Sequence, residues 1–219
     1  MLSQEPYIKI KGVGRVKRTP DTIVLSLDIE EKDVCYSNAV EGAAKQLKVM
    51  QENLATVGFQ KDELKTTDFT ISPDYENVRD ENGDYVRQFY GYKVNQELKL
   101  TFPLEMERLN NVMSVLAMCV VNPEVRIGFA ISDEDGIKKE LLRSATQDAL
   151  EKANILCEAS NVKLGKLLSI DYSWREISFE TEDKYEVFEA QGAEFDIQPD
   201  DIKISDTVEF IWEIKQVKF

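Results

Sequence analysis

Between Ser132 and Ser160 a small or apolar residue recurs at every helical turn: Ile137, Leu141, Ala145, Ala149, Ala153 and Leu156. Residues four apart share a helix face, so this segment reads as one long amphipathic helix. Its stripe narrows to methyl groups at three consecutive turns, which lets a sheet or another helix approach closely. Ser132-Asp133-Glu134-Asp135 opens the helix with a capping hydroxyl and three acids near the positive end of its dipole.

The flanking segments change period. Tyr7 to Lys17 alternates Ile8, Ile10 and Val13 with polar residues around Gly12 and Gly14, a strand with a bulge or bend. A turn at Thr19-Pro20-Asp21 leads into a strand over Thr22 to Glu31, and the two strands are expected to form an antiparallel pair. Ser37 to Val57 carries Val40, Ala43, Leu47, Met50, Leu54 and Val57 on one helical face, with Gly58 as its left-handed stop. Phe69 to Val78 and Tyr85 to Phe102 are strands joined through Asn82-Gly83, a strong hairpin signal. Their length predicts an arm projecting beyond the sheet. Val94, Leu98, Leu100 and Phe102 mark its inward face. A helix follows over Leu104 to Met118, with Leu109, Val112, Met113 and Leu116 inward, and then a strand over Pro123 to Ile131. Beyond the long helix, Lys166 to Trp174 and Thr207 to Phe219 are strands.

The order β-β-α-β-β-α-β-α-β-β predicts an α+β fold. A mixed or antiparallel sheet would carry its helices on one face, with hairpins at both ends of the chain. The 219 residues suit a single domain, 1–219, with possible sub-lobes 1–102 and 103–219.

Charge and composition exclude several functions. There is no histidine, which removes Ser-His-Asp and Cys-His catalysis and imidazole-bound zinc. A net charge of -14 argues against a protein that tracks nucleic-acid phosphates. Within 175–201 ten acids face only Arg175 and Lys184, a local charge of -8, so this segment is expected as an exposed acidic loop. No apolar window is long enough to span a membrane. The N-terminus lacks a signal peptide's charged start and apolar stretch. The chain is therefore expected in the cytoplasm, or in the periplasm if a leader has been removed. Cys35, Cys119 and Cys157 are isolated and odd in number, and read as free thiols.

Motifs that imitate binding sites fail on spacing. Gly12-x-Gly14 lacks the third glycine and the following helix of a dinucleotide site. Asp80-x-Asn82-x-Asp84 resembles the start of a calcium loop, but Tyr85 replaces its glycine and Gly91 its bidentate glutamate. Asp28 and Glu30 share a strand face and read as solvated. Asp148 and Lys152 form an i,i+4 ion pair, with Asp148 free to satisfy a neighbouring donor. Thr66, Thr67, Tyr75 and Tyr92 bracket the hairpin and read as structural. No catalytic, cofactor-binding or metal-ligating residue is assigned, and no cofactor.

These elements together carry a family resemblance. They are Gly12-Val13-Gly14 with Pro20-Asp21, Val57-Gly58-Phe59, Thr66-Thr67, Pro73-Asp74-Tyr75 and Gly91-Tyr92. Later come Phe129-Ala130-Ile131-Ser132-Asp133, Ala145 to Ala153, Gly165 and the terminal strand after Ile197-Gln198-Pro199. In that order and spacing the chain resembles the SIMPL-domain family, over about Tyr7 to Lys215. The resemblance implies exported, stress- or surface-associated bacterial proteins without an agreed enzymatic activity, a kinase-associated adaptor in mammals, and self-assembly through extended strands. The leading expectation is a non-enzymatic interaction or assembly protein that forms homo-oligomers through the hairpin, with a protein partner at the acidic loop 175–201. One alternative is a small-ligand-binding module with a groove between helices and hairpin. Another is a carboxylate or divalent-metal enzyme, which requires at least three converging acids.

Overall fold

The computed structural model describes residues 6–79, 84–173, 177–181, 185–187 and 196–216. Its elements in chain order are β1 (Tyr7–Arg18), β2 (Thr22–Asp33), α1 (Tyr36–Ala55), β3 (Lys65–Arg79), β4 (Tyr85–Pro103) and α2 (Met106–Ala117). They continue with β5 (Glu124–Ala130), α3 (Glu134–Ala159), β6 (Val162–Asp171), β7 (Tyr185–Val187) and β8 (Ile202–Gln216). The fold is α+β, as the hydrophobic periods predict. It holds two antiparallel sheets, ordered β1-β8-β6 and β3-β4-β2-β5-β7. The chain divides into two compact units, Met1–Pro20 with Ile131–Glu180 and Asp200–Phe219, and Asp21–Ala130 with Thr181–Pro199.

In the first unit α3 packs on the three-stranded sheet. The alanines of its stripe, Ala145, Ala149 and Ala153, bury against Ile10, Val208, Phe210 and Trp212. The close approach that the stripe allows is matched by glycine on β1. A Cβ built on Gly12 would stand 2.0 Å from the Ala145 carbonyl oxygen, and one on Gly14 would stand 2.1 Å from that of Leu141. Neither space admits a methyl group. A second cluster, Val16, Ile131, Ile137, Leu141, Phe179, Ile202 and Ile204, closes the other end of the helix.

β1 is an edge strand, so alternate residues turn their peptide groups away from β8. The helix supplies partners for that edge. The Val13 N–H donates to Asp148 Oδ2 at 2.7 Å, and the Arg15 N–H reaches Ser144 Oγ at 3.4 Å. Lys152 Nζ bonds Asp148 at 2.6 Å and reaches the Lys11 carbonyl at 3.4 Å. Asp148 therefore does bind a backbone donor besides its helix neighbour. The Lys152 ammonium, and then the Val13 N–H, hold its carboxyl below the ordinary aspartate range.

In the second unit α1 and α2 cover one face of the five-stranded sheet. Leu25, Leu27, Leu98, Leu100, Ile127 and Phe129 meet Met50, Leu54, Leu109 and Val112 there, all but excluded from solvent. Full burial of each large side chain contributes about 1.5–3 kcal/mol, so this layer is the unit's main source of stability.

Four expectations are corrected. β1 does not pair with β2; it pairs with β8 from Tyr7↔Glu213 to Arg18↔Ile202. The Asp21 peptide that would close a β1–β2 hairpin is engaged elsewhere: its N–H donates to the Ala130 carbonyl, and its carbonyl accepts from Leu104 N–H. β2 lies instead between β4 and β5. The helix cap is Asp133, which accepts from the Gly136 N–H at 2.9 Å, and not the Ser132 hydroxyl. The buried stripe ends on Cys157, one residue past Leu156, which is 47% exposed.

The acidic segment, lastly, is more than a solvated loop. β7 pairs with the edge of β5, Phe179 is buried, and Ile197 packs against the core of the second unit. Ile131 N–H donates to the Phe179 carbonyl and Thr181 N–H to that of Phe129. Asn82-Gly83 and the calcium-like start at Asp80 lie outside the described residues.

Candidate functional site: the arm and the polar face

β3 and β4 pair from Lys65↔Lys99 to Arg79↔Tyr85, but the β2–β4 ladder stops at Asp33↔Tyr92. Among the described residues, 73–79 and 85–91 therefore continue as two strands without a third, and this is the projecting arm expected from strand length. Its root is built from backbone irregularity. A bulge between Asp74 and Tyr75 lies beside the Asp74↔Gly91 pair. A Cβ on Gly91 would stand 2.6 Å from the Asp33 carbonyl oxygen, so only glycine lets β4 pass the end of β2. Lys32 ties the root together, with Nζ 3.1 Å from Glu30 and 3.4 Å from Asp74. Lys93 lies 3.3 Å from the other Glu30 oxygen. Partial burial pushes the Glu30 carboxyl up, but its bonds to Lys32 and Lys93 prevail and leave it below the ordinary range.

A run of aromatic rings follows the arm outward. Tyr36 meets Tyr92 edge-on at 5.4 Å between centroids, Tyr92 meets Phe89 at 5.4 Å, and Phe89 meets Tyr75 at 5.7 Å. The Arg87 guanidinium sits 4.7 Å over the Tyr75 ring. The outer rings are far from buried: Tyr75 is 44% exposed, Phe89 45%, Tyr90 60% and Tyr85 69%. Thr66 and Thr67 sit at a second bulge, between Thr66 and Asp68. There the Thr67 hydroxyl donates to the Glu97 carbonyl, and Gln96 Nε2 donates to the Thr66 hydroxyl at 3.1 Å.

Beside the arm, the face of the sheet turned away from α1 and α2 carries a feature that sequence reasoning missed. The registers Asp68↔Glu97, Asp28↔Glu97 and Asp28↔Glu124 place four carboxylates in one row across β3, β4, β2 and β5. Arg126 bonds Asp28 through an Nη2–Oδ2 contact, and among the described residues Asp28 Oδ1 and Arg126 Nε are buried without a partner. Together with Thr70 and Asn95 these residues line a cleft of about 610 Å³. Among the described residues no three acidic or thiol side chains converge closely enough to hold a metal ion. Among the same residues, no helix is long and apolar enough to cross a membrane.

Bulged edges, a projecting aromatic arm and helices on one face of each antiparallel sheet define an α+β protein whose distinctive surface is built from strands. The sequence model of the SIMPL family, described as a protein of unknown function (DUF541), matches residues 8–212, and the chain belongs to that family. It is 23% identical over 173 residues to the 26 kDa periplasmic immunogenic protein of Brucella melitensis, covering 78% of this chain and 68% of that one. The same protein from Brucella abortus matches at 23% identity over the same shares. The uncharacterized protein YggE of Escherichia coli is 21% identical over 175 residues, 78% of this chain and 67% of the relative.

Proposed function

We propose that the chain is a non-enzymatic interaction and assembly protein that self-associates through the β3–β4 arm and acts in envelope or stress physiology. The carrying observation is the arm itself: two strands that no third joins among the described residues, bearing exposed Tyr75, Tyr85, Phe89 and Tyr90. Exposed rings on an unsupported ribbon are costly in a monomer and become core when a second copy covers them. The Brucella relatives are named as periplasmic, which favours export over the cytoplasmic placement expected from the N-terminus. The acidic segment 175–201 is the proposed site for a protein partner.

Sedimentation equilibrium tests this reading. Wild-type protein should associate as its concentration rises, and Phe89→Ser with Tyr90→Ser should remove the arm-dependent step of that association while leaving circular dichroism and Tm unchanged. A wild-type protein that stays monomeric at high concentration refutes it.

A further inference from the structure

We infer that the free edge of β6 is a second self-association surface, a symmetric antiparallel β6–β6 contact centred on Leu167. Among the described residues β6 pairs only with β8, so its outer row of peptide groups is open. Two irregularities in the β6–β8 ladder, one on each side of Leu167, change its face pattern. Leu164, Leu167 and Ile170 pair with Ile214, Trp212 and Phe210 in turn, so all three fall on the face that α3 covers. Gly165 makes the first irregularity possible, since a Cβ there would stand 2.9 Å from the Glu213 carbonyl oxygen. The helix, held over β1 by Gly12 and Gly14, touches β6 but leaves its outer apolar side chains uncovered. Leu167 remains 47% exposed and Ile170 56%, beside the buried Phe210–Trp212 stack.

The strand is complementary to its own reverse. An antiparallel copy centred on Leu167 sets Leu164 against Ile170 and Leu167 against itself, extending the apolar face without interruption. The same register sets Lys163 opposite Asp171, both exposed, at each end of the contact. Opposite charges facing across paired strands favour this register over its neighbours. Lys166 and the two bulges restrict the edge, which suits a contact specific to one partner in one register and not open-ended strand addition.

The test uses full-length protein with Cys35→Ser, which removes the one exposed thiol, and a Phe89→Ser, Tyr90→Ser arm to keep the two surfaces apart. Leu167→Cys places two thiols on the two-fold axis and should give a covalent dimer under air oxidation. Ser169→Cys should not, because its symmetry mate lies about 13 Å away, four residues along the ladder. Lys163→Glu should weaken the dimer about fivefold, and adding Asp171→Lys should restore it. Equal crosslinking at 167 and 169 overturns the contact. So does failure of the double charge swap to restore the dimer, or a monomer at all concentrations.

Discussion

Replacing Gly12 with alanine is the sharpest probe of how the first unit is built. The added Cβ would lie 2.0 Å from the Ala145 carbonyl oxygen and 2.8 Å from the Ala149 Cβ. Ordinary contact begins near 3.4 Å, so α3 must retreat by about 1.4 Å at this point. A gap of 0.5–1 Å already forfeits a quarter to a half of the dispersion well of each contacting atom pair, and overpacking by one methyl typically costs about 1–3 kcal/mol. The retreat also carries Asp148 out of reach of the Val13 N–H, now 2.7 Å away. Hydrogen bonds to charged groups are worth about 1.5–3 kcal/mol. Gly12→Ala should therefore destabilise the unit by at least roughly 3 kcal/mol, in the tail of the distribution for point mutants.

Urea denaturation, followed by tryptophan fluorescence in a Trp174→Phe background so that Trp212 beneath the helix is the one reporter, measures this loss. A second substitution identifies its cause. Ala149→Gly removes the methyl 2.8 Å away but leaves the Ala145 carbonyl in place, so it should recover little of the loss. Gly58→Ala is the contrasting control. Its φ is +91° with open space around it, so only backbone strain of about 1–2 kcal/mol is expected. A Gly12→Ala variant within about 1 kcal/mol of wild type would refute the seating of α3 on β1.

Three further outcomes follow from the same geometry. Asp148→Ala should cost about 1.5–3 kcal/mol at neutral pH; because the folded-state pKa is depressed, the wild-type advantage holds above the unfolded aspartate value and is lost as pH falls through the folded one, which urea titrations of both proteins across that range would show. Gly91→Ala should disturb the arm root without touching the α3 packing, so hydrogen exchange should quicken over 73–79 and 85–91 and stay unchanged in β1 and β8. Glu97→Gln should stabilise the second unit by about 0.2–1 kcal/mol by relieving the carboxylate row, and a thermal melt in high salt should erase the gain.

How far the sequence discloses the structure depends on whether a feature is local. Helix α2 buries Leu109, Val112, Met113 and Leu116, the residues its period selects. The arm was readable because two long β-rich runs flank one turn signal. Strand pairing was not local. β2 and β8 both alternate, and nothing in β1 states which it will join; that choice rests on the Asp21 peptide groups bonding to Ala130 and Leu104. The carboxylate row is invisible for a related reason, since Asp68, Glu97, Asp28 and Glu124 come together only when three registers are known. A shift of one residue in any strand would turn its acid to the opposite face. The Leu156 error arose where both Leu156 and Cys157 continue a helical stripe, and only packing chooses between them.

The residues that carry the family resemblance form no constellation of nucleophile, acid and base. Gly12 and Gly14 admit a helix, and Gly58 holds a positive φ. Thr66-Thr67 and Asp74-Tyr75 mark bulges, while Gly91 and Gly165 fit where strands crowd. Asp133 caps α3, and Asp148 with Lys152 holds the open edge of β1. Each fixes a backbone path and leaves the outward side chains free to vary. At 21–23% identity most positions differ between this chain and the relatives above. Relatives that keep these devices would keep the arm and the strand edges while changing the rings and charges displayed on them. If the chain assembles as proposed, partner choice would reside in Phe89, Tyr90 and the ends of β6, the residues whose exchange the assembly experiments read.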